Sequence, residues 1–212
     1  MEIIARLKKS KFIFFDKKEL VGIILILVFI FGFSAYNFTL SLRRARDVQR
    51  RDDLTALADA LERYFNDFDR YPASTSDGEL IACLPKGWTF EDMKKILGGR
   101  PVQNRAKMFA QMAPCEWGAS SLADVSDNSR PIYLTVIPQD PRAAQGASYR
   151  YFSTGQHFQL LASFEGKDNP EYSQKILARK ILCGNKICNF GKATRGTPLD
   201  VSLEEYEKGL SE

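Results

Sequence analysis

An apolar segment that continues directly into an amphipathic one constrains the fold of this chain more than any other feature. Residues 20–38, LVGIILILVFIFGFSAYNF, contain no Asp, Glu, Lys or Arg. About 19 residues at about 1.5 Å each form a helix of roughly 28 Å, which matches the hydrocarbon thickness of a bilayer. The segment therefore predicts a transmembrane helix.

The main alternative for residues 20–38 is a signal peptide that is removed after export. Basic residues precede the segment, and the small residues Ser34 and Ala35 lie near its end. However, the run is longer than the roughly 7–15 apolar residues of a signal peptide, and it lacks a small-x-small cleavage site. We expect the segment to be retained as an anchor.

The amphipathic segment carries an apolar stripe on one helix face. Seven apolar residues recur at spacings of three and four: Leu54, Leu57, Ala58, Leu61, Tyr64, Phe65 and Phe68. No proline occurs before Pro72, so we expect one continuous helix that ends near Tyr71. The stripe favours packing against a sheet of the same chain, and a coiled-coil seam is the alternative.

All four cysteines follow the amphipathic segment: Cys83, Cys115, Cys183 and Cys188. Their even number, at spacings that no common zinc motif uses, favours disulfides over free buried thiols or a metal site. Cys83 and Cys115 bracket a helical insert, which we expect a disulfide between them to close. Cys183 and Cys188 lie in a hairpin sequence, where a disulfide predicts a four-residue turn rather than a two-residue turn at Gly184 and Asn185.

Three short stretches rich in aromatic, β-branched and aliphatic residues predict β-strands. They cover residues 131–137, 149–152 and 158–164, and the last two flank a turn sequence. Together they predict an antiparallel sheet of three or four strands. The predicted fold class is α+β, in which a long N-terminal helix with a transmembrane half and an amphipathic half packs on this small sheet.

These segments divide the chain into four parts. They are a basic cytoplasmic leader (residues 1–19), the transmembrane helix (20–38), a globular domain that includes the amphipathic half of the helix (39–190), and a flexible polar tail (191–212).

The sequence contains no recognisable motif for catalysis, cofactor binding or metal binding. It has no phosphate-binding glycine loop, nucleophile elbow, HExxH motif or EF-hand loop. His157 is the only histidine, and its place beside a turn, without a nearby cysteine, does not indicate a catalytic group. We therefore expect no enzymatic activity, no cofactor and no metal.

The basic residues cluster on both sides of the apolar segment rather than over the whole chain, whose net charge is +4. Lys8, Lys9 and Lys11 precede the segment, and Arg43 and Arg44 follow it. This position suits lipid headgroups, so nucleic-acid binding is not expected. Because both flanks are basic, the cysteines decide the orientation, with the N-terminus inside and the C-terminal domain in an oxidising compartment outside.

Several sequence features occur in a characteristic order. Glu19 opens the apolar segment, the run RARD (residues 44–47) lies on the continuous helix, and Tyr71 and Pro72 end it. The sequences YLTVIPQDP (133–141) and SYRYFSTGQHFQLLASFE (148–165) follow. Over residues 15–165, this order resembles that of type IV pilins and, more closely, the pseudopilins of type II secretion.

The resemblance implies an inner-membrane protein of prokaryotes that becomes a structural subunit of a pilus or pseudopilus-like filament. Its partners would be copies of itself or other pilin-like subunits, the inner-membrane assembly machinery and the lipid bilayer. Glu19, Leu27 and Val28 would then take part in assembly.

The prepilin peptidase of this family trims the leader after a glycine, and the resemblance places that processing site at Phe14 and Phe15. Phe14 stands where the family has glycine. A single-pass membrane protein that does not polymerise, with an extracytoplasmic ligand- or DNA-binding domain, is therefore the alternative.

Overall fold

The computed structural model describes residues 16–98, 104–126 and 132–211. By its internal contacts the chain divides into two compact units, Met1–Leu42 and Arg43–Glu212. The predicted long N-terminal helix is present as α1, Lys17–Phe68, which contributes to both units. We refer to Arg43–Glu212 as the C-terminal unit.

The C-terminal unit surrounds the second part of α1 with short strands and helices. The strands in the described residues are β1 (Ala73–Ser74), β2 (Leu80–Cys83), β3 (Ala113–Pro114), β4 (Leu122–Ala123), β5 (Ile132–Leu134), β6 (Arg150–Ser153), β7 (Phe158–Ala162), β8 (Leu182–Cys183), β9 (Lys186–Ile187) and β10 (Phe190–Ala193). The helices after α1 are α2 (Phe90–Leu97), α3 (Arg105–Gln111), α4 (Gln174–Ala178) and α5 (Leu203–Ser211), and a 3₁₀ turn covers Ala143–Gln145. The α+β fold class is confirmed.

The strands form several small antiparallel sheets rather than one. Their orders are β1-β2-β3 and β10-β7-β6, while β4 pairs with β5 and β8 pairs with β9. The hairpin of β6 and β7 lies where the sequence predicts it. The prediction that residues 131–137 join the same sheet is wrong, because β5 pairs with β4 and the third strand beside β7 is β10.

The core of the C-terminal unit forms where the apolar stripe of α1 meets the strands. The fully buried residues of the stripe are Leu54, Leu57, Leu61 and Tyr64, and Phe68 is nearly so; Ala60, beside the stripe, is also fully buried. Ala58 and Phe65 remain partly exposed and pack against the same cluster. Each fully buried large side chain contributes about 1.5–3 kcal/mol, so this face outweighs any surface ion pair on the helix.

Two disulfides close loops within the C-terminal unit. Cys83 and Cys115 are joined, and their bond encloses α2 and α3 between β2 and β3. Cys183 and Cys188 are also joined.

The predicted four-residue turn between Cys183 and Cys188 is wrong. Cys183 pairs with Lys186 across a two-residue turn, and Cys188 lies two residues further along the returning strand. Residues two apart on a strand share a face, so Cys188 is the diagonal neighbour of Cys183. Their Cα atoms are 5.2 Å apart, which a disulfide spans without a longer turn.

Residues 191–212, for which the sequence predicts a flexible tail, contain both strand and helix. Gly191, Lys192 and Ala193 pair with β7, and the chain then forms α5. The fully buried Gln159 holds the connection between them, because its Nε2 donates to the carbonyl oxygens of Pro198 (2.6 Å) and Val201 (2.9 Å). These contacts use backbone groups, which the polar composition of this region does not reveal.

Candidate functional site

The first unit presents an exposed apolar helix surface. Part of α1 is long and apolar enough to cross a membrane, and its most apolar stretch is not buried anywhere in the structure. Leu27 and Val28 are 45% and 64% exposed. An apolar surface of this extent marks a contact with lipid or with another protein, so α1 is a candidate single-pass membrane anchor.

Glu19 has a local role at the start of α1. Its Oε2 accepts a hydrogen bond from the backbone N–H of Asp16 (3.1 Å), the residue that precedes the helix. This is half of a capping box, in which the third helical residue reaches back to satisfy an amide that the helix leaves unpaired. The processing site expected at Phe14 and Phe15 lies outside the described residues.

The C-terminal unit contains a buried ionic cluster at the beginning of its part of α1, which we call the Arg50 network (Arg46, Asp47, Arg50, Asp140, Arg142 and Glu165). Arg50 is only 1% exposed. Its Nε donates to Oδ2 of Asp140 (2.8 Å) and its Nη2 to Oδ1 (3.0 Å). Its Nη1 donates to Asp47 (2.9 Å) and to Glu165 (3.0 Å).

Two further arginines pair with Glu165, and Nε of one of them, Arg142, lies 3.4 Å from Oε1. Arg46 donates from Nε (2.8 Å) and Nη2 (2.7 Å) to the two carboxylate oxygens of Glu165. Asp47 in turn accepts hydrogen bonds from the backbone N–H groups of Glu165 and Gly166, both at 2.8 Å. The Arg50 network therefore connects α1 to the segment that follows β7 through charge-assisted hydrogen bonds.

The pKa values in the Arg50 network reflect the hydrogen bonds between its charged side chains. Hydrogen bonds from Arg46, and then from Arg50, lower the pKa of Glu165 to about 2, against the opposing effect of burial. Burial alone lowers the pKa of Arg50, but its bonds to Asp140 raise it above the ordinary value. The hydrogen bond to Glu165 likewise raises the pKa of Arg46. All three groups therefore stay charged at neutral pH.

The Arg50 network was not predicted from the sequence, although the sequence contains a signal for it. Counting backwards from Leu54 at helical spacing reaches Arg50 and Asp47. The two residues thus occupy the core-facing side of α1, where an isolated charge is costly to bury. Charged residues at such positions indicate buried partners elsewhere in the chain.

Two tyrosines add further links between α1 and the strands. Tyr149 donates to Asp53 (2.6 Å) and Tyr133 donates to Asp67 (2.5 Å). Burial, together with these hydrogen bonds, raises the pKa of both phenols, so they remain donors at any physiological pH.

His157 contacts two residues of α5. Its Nδ1 lies 2.8 Å from Oε1 of Glu207, and its ring meets Tyr206 edge-on with centroids 5.3 Å apart. Both partners belong to α5, so His157 helps to hold this helix against β7. Within the described ranges, no three His, Cys, Asp or Glu side chains converge as metal ligands.

Comparison of the chain with protein-family models, with curated proteins and with solved structures gives no match.

Proposed function

We propose that this chain is a structural subunit of a type IV pilus or type II secretion pseudopilus-like filament, held in the inner membrane by α1 before assembly. The observation that carries the proposal is the division of α1. One part exposes a charge-free apolar surface, and the other buries its stripe in the core of a small disulfide-bonded unit. The exposed surface suits lipid before assembly and neighbouring helices afterwards.

The cysteines support an orientation with the C-terminal unit outside the cytoplasm. All four are in disulfides and none is free, as expected for a protein in an oxidising compartment. The N-terminus is then cytoplasmic. The proposed partners are other copies of the chain or related subunits, together with the membrane machinery that assembles them.

Glu19 allows a sharp test of assembly. The change Glu19→Gln keeps an oxygen that can accept the Asp16 amide, so the start of α1 is retained. It removes the negative charge with which Glu19 would attract a cationic group of a neighbouring subunit. We expect Glu19→Gln to stay in the membrane but to lose the multimer ladder that an amine-reactive crosslinker produces with the unchanged protein.

The matched control for Glu19→Gln is Glu62→Gln, an exposed carboxylate farther along the same helix. It should leave the ladder unchanged. If the unchanged protein gives only monomers in its own membranes, the filament proposal is overturned. N-terminal sequencing of the same membrane sample adds the processing state, because a start at Phe15 supports the filament.

The alternative is a single-pass membrane protein that does not polymerise and binds a ligand or DNA with its C-terminal unit. The hydrogen bond between Glu19 and its own chain favours this reading, because it occupies the carboxylate that assembly would use. An intact Met1 together with monomers after crosslinking would support it.

A further inference from the structure

A cleft of about 510 Å³, with both polar and apolar lining residues, opens between the C-terminal segment and the β6–β7 hairpin. We call it the hydroxyl-lined cleft, after the six residues Ser74, Thr75, Ser76, Ser153, Thr154 and Ser202. Its volume lies in the range of small-molecule sites, roughly 300–1,000 Å³. Neither the core nor the Arg50 network uses it.

The hydroxyls of the cleft retain unused donors. Ser74, Thr75 and Ser202 each accept a backbone N–H, from Ser153, Glu79 and Glu205. Ser153 accepts the N–H of Gly155 in the same way. A hydroxyl that accepts through its oxygen still carries a proton to donate. The side chain of Ser153 is hydrogen-bonded to that of Tyr151, whereas the hydroxyls of Ser74, Thr75 and Ser202 donate no hydrogen bond to any described residue. The cleft is therefore lined with donors fixed in place by the backbone.

Arg179 also lines the cleft, and only one of its guanidinium nitrogens donates hydrogen bonds to described residues. Its Nη1 donates to Oε1 of the buried Gln159 (3.0 Å) and to the carbonyl oxygen of Leu199 (2.8 Å). The guanidinium plane is thereby fixed, while Nε and Nη2 have no hydrogen-bond partner within the described residues. Burial lowers the pKa of Arg179, because partial removal from water disfavours the charged form.

The remaining lining residues distinguish between two kinds of ligand. Glu204 places a carboxylate in the cleft wall, and the charges of Asp200 and Glu205 also act on Arg179. These acidic groups disfavour an anion. Phe152 adds an aromatic side chain. Fixed donors, one carboxylate acceptor and an aromatic surface match a sugar ring, which offers ether and hydroxyl oxygens, hydroxyl donors and an apolar C–H face.

We propose that the hydroxyl-lined cleft is a carbohydrate-binding site for a neutral sugar. Arg179 and the serine and threonine hydroxyls donate to the sugar oxygens, Glu204 accepts from sugar hydroxyls, and Phe152 contacts the apolar face. The proposal concerns the C-terminal unit alone and is independent of whether the chain polymerises.

The test uses the detergent-solubilised full-length protein and saturation-transfer NMR. The sugar probes are glucose, galactose, mannose and N-acetylglucosamine. The anionic probes are inorganic phosphate and citrate, and their binding is measured by calorimetry. We expect saturation transfer to at least one of the sugars and no measurable binding of either anion. Binding of phosphate or citrate without any sugar, or of none of the probes, overturns the proposal.

Two pairs of variants place the binding in the cleft. Ser76 lines the cleft and is exposed, so Ser76→Trp should fill it and weaken sugar binding at least tenfold. Its exposed neighbour Asp77 does not line the cleft, so Asp77→Trp should bind as the unchanged protein does. Equal binding by the two tryptophan variants, with unchanged near-UV circular dichroism, places the sugar elsewhere and overturns the proposal.

The variants Glu204→Gln and Glu205→Gln distinguish a sugar from an anion, because Glu204→Gln changes the affinity for the two ligands in opposite directions. For a sugar, loss of the charged acceptor weakens binding at Glu204 alone. For an anion, removal of either negative charge strengthens binding. A tighter complex in the Glu204→Gln variant therefore contradicts the proposal.

Discussion

Arg50 connects three carboxylates, and among the described residues only Glu165 of the three also pairs with other arginines, Arg46 and Arg142. It contacts Asp47, Asp140 and Glu165 at 2.8–3.0 Å. A complete buried network of this kind need not exceed an apolar core in stability, but removal of one partner leaves uncompensated charge in a poorly solvated site. Removal of Arg50 therefore breaks three ion pairs of the Arg50 network at once.

The first prediction is that Arg50→Ala destabilises the C-terminal unit by about 3–5 kcal/mol. The measurement is the free energy of unfolding of the full-length protein in detergent, from urea titration followed by near-UV circular dichroism. Arg51→Ala is the matched control, since Arg51 lies at the surface and its acidic partners are 3.5 Å or more away; it should cost less than about 1 kcal/mol. Equal losses in the two variants would contradict the role given to Arg50.

The second prediction concerns the acid sensitivity that Glu165 confers. Its pKa falls from 4.5 to about 2 in the folded protein, so the folded state binds the proton less readily than the unfolded chain does. The resulting stabilisation is fully present above pH 4.5 and is lost as the pH falls from about 4.5 towards 2. The difference in unfolding free energy between the unchanged protein and Glu165→Gln should therefore shrink over that interval. A difference that stays constant from pH 7 to pH 2.5 would refute this assignment.

At the scale of elements, the two disulfides close loops of very different length. The Cys83–Cys115 bond joins residues 32 apart and encloses α2 and α3, whereas the Cys183–Cys188 bond joins residues 5 apart. In the chain-entropy account, a disulfide stabilises by restricting the unfolded chain, and it does so more for a longer loop. The helical insert therefore depends more on its disulfide than the hairpin of β8 and β9 does.

The third prediction follows from this difference. Replacing Cys83 and Cys115 together by alanine should cost about 3.5 kcal/mol, and replacing Cys183 and Cys188 together should cost about 2 kcal/mol from loop closure. Urea titration of both double variants gives the comparison. Because Cys183 and Cys188 are fully buried, their alanine variant also leaves a small cavity. The control is therefore reduction of each double variant, which breaks only the disulfide that the variant retains. A larger loss for the hairpin disulfide in all of these measurements would count against the loop-length explanation.

The elements differ in how far the sequence could predict them. α1 was predictable because its signals are local: an uncharged apolar run, a helical stripe and no proline before Pro72. The pairing of β10 with β7 was not, because Phe190 and its neighbours resemble a polar loop and become a strand only through contact with residues 159–162.

The candidate sites show the same limit. Arg50 could be flagged from its position on the core-facing side of α1, but its partner Asp140 is 90 residues away. No local pattern connects the two. The hydroxyl-lined cleft depends on segments that begin near Ser74, Ser153 and Ser202, which meet only in the folded C-terminal unit.

Across the whole chain, the two units differ in whether their apolar side chains are buried. The C-terminal unit buries its stripe internally, with Leu54 and Leu57 fully shielded from solvent. In the first unit, the apolar side chains of residues 20–38 are exposed, and that of Phe29 is 74% exposed. A helix satisfies its own backbone hydrogen bonds, so this segment is stable in lipid without further structure. Its apolar surface is what the environment must cover.

The fourth prediction tests this division directly. Leu27 and Val28 lie in the middle of the apolar segment, where a charged side chain costs about 2.5–3.5 kcal/mol per residue on insertion scales. The double change Leu27→Asp and Val28→Asp should therefore move the protein from the membrane pellet to the soluble or aggregated fraction after carbonate extraction. It should also abolish the crosslinked ladder, because the same side chains would contact neighbouring helices in a filament.

The matched control is Val48→Asp, which places aspartate at an exposed valine of the same helix beyond the apolar segment. Membrane retention should be unchanged in this variant, since its side chain faces water with or without the charge. The disulfides of the C-terminal unit show whether each variant folds. Cysteines in intact disulfides resist alkylation until a reductant is added. If the double aspartate variant keeps its disulfides and remains in the carbonate-resistant pellet, residues 20–38 do not anchor the chain. The filament proposal would then lose its physical basis, whereas the carbohydrate site of the C-terminal unit would be unaffected.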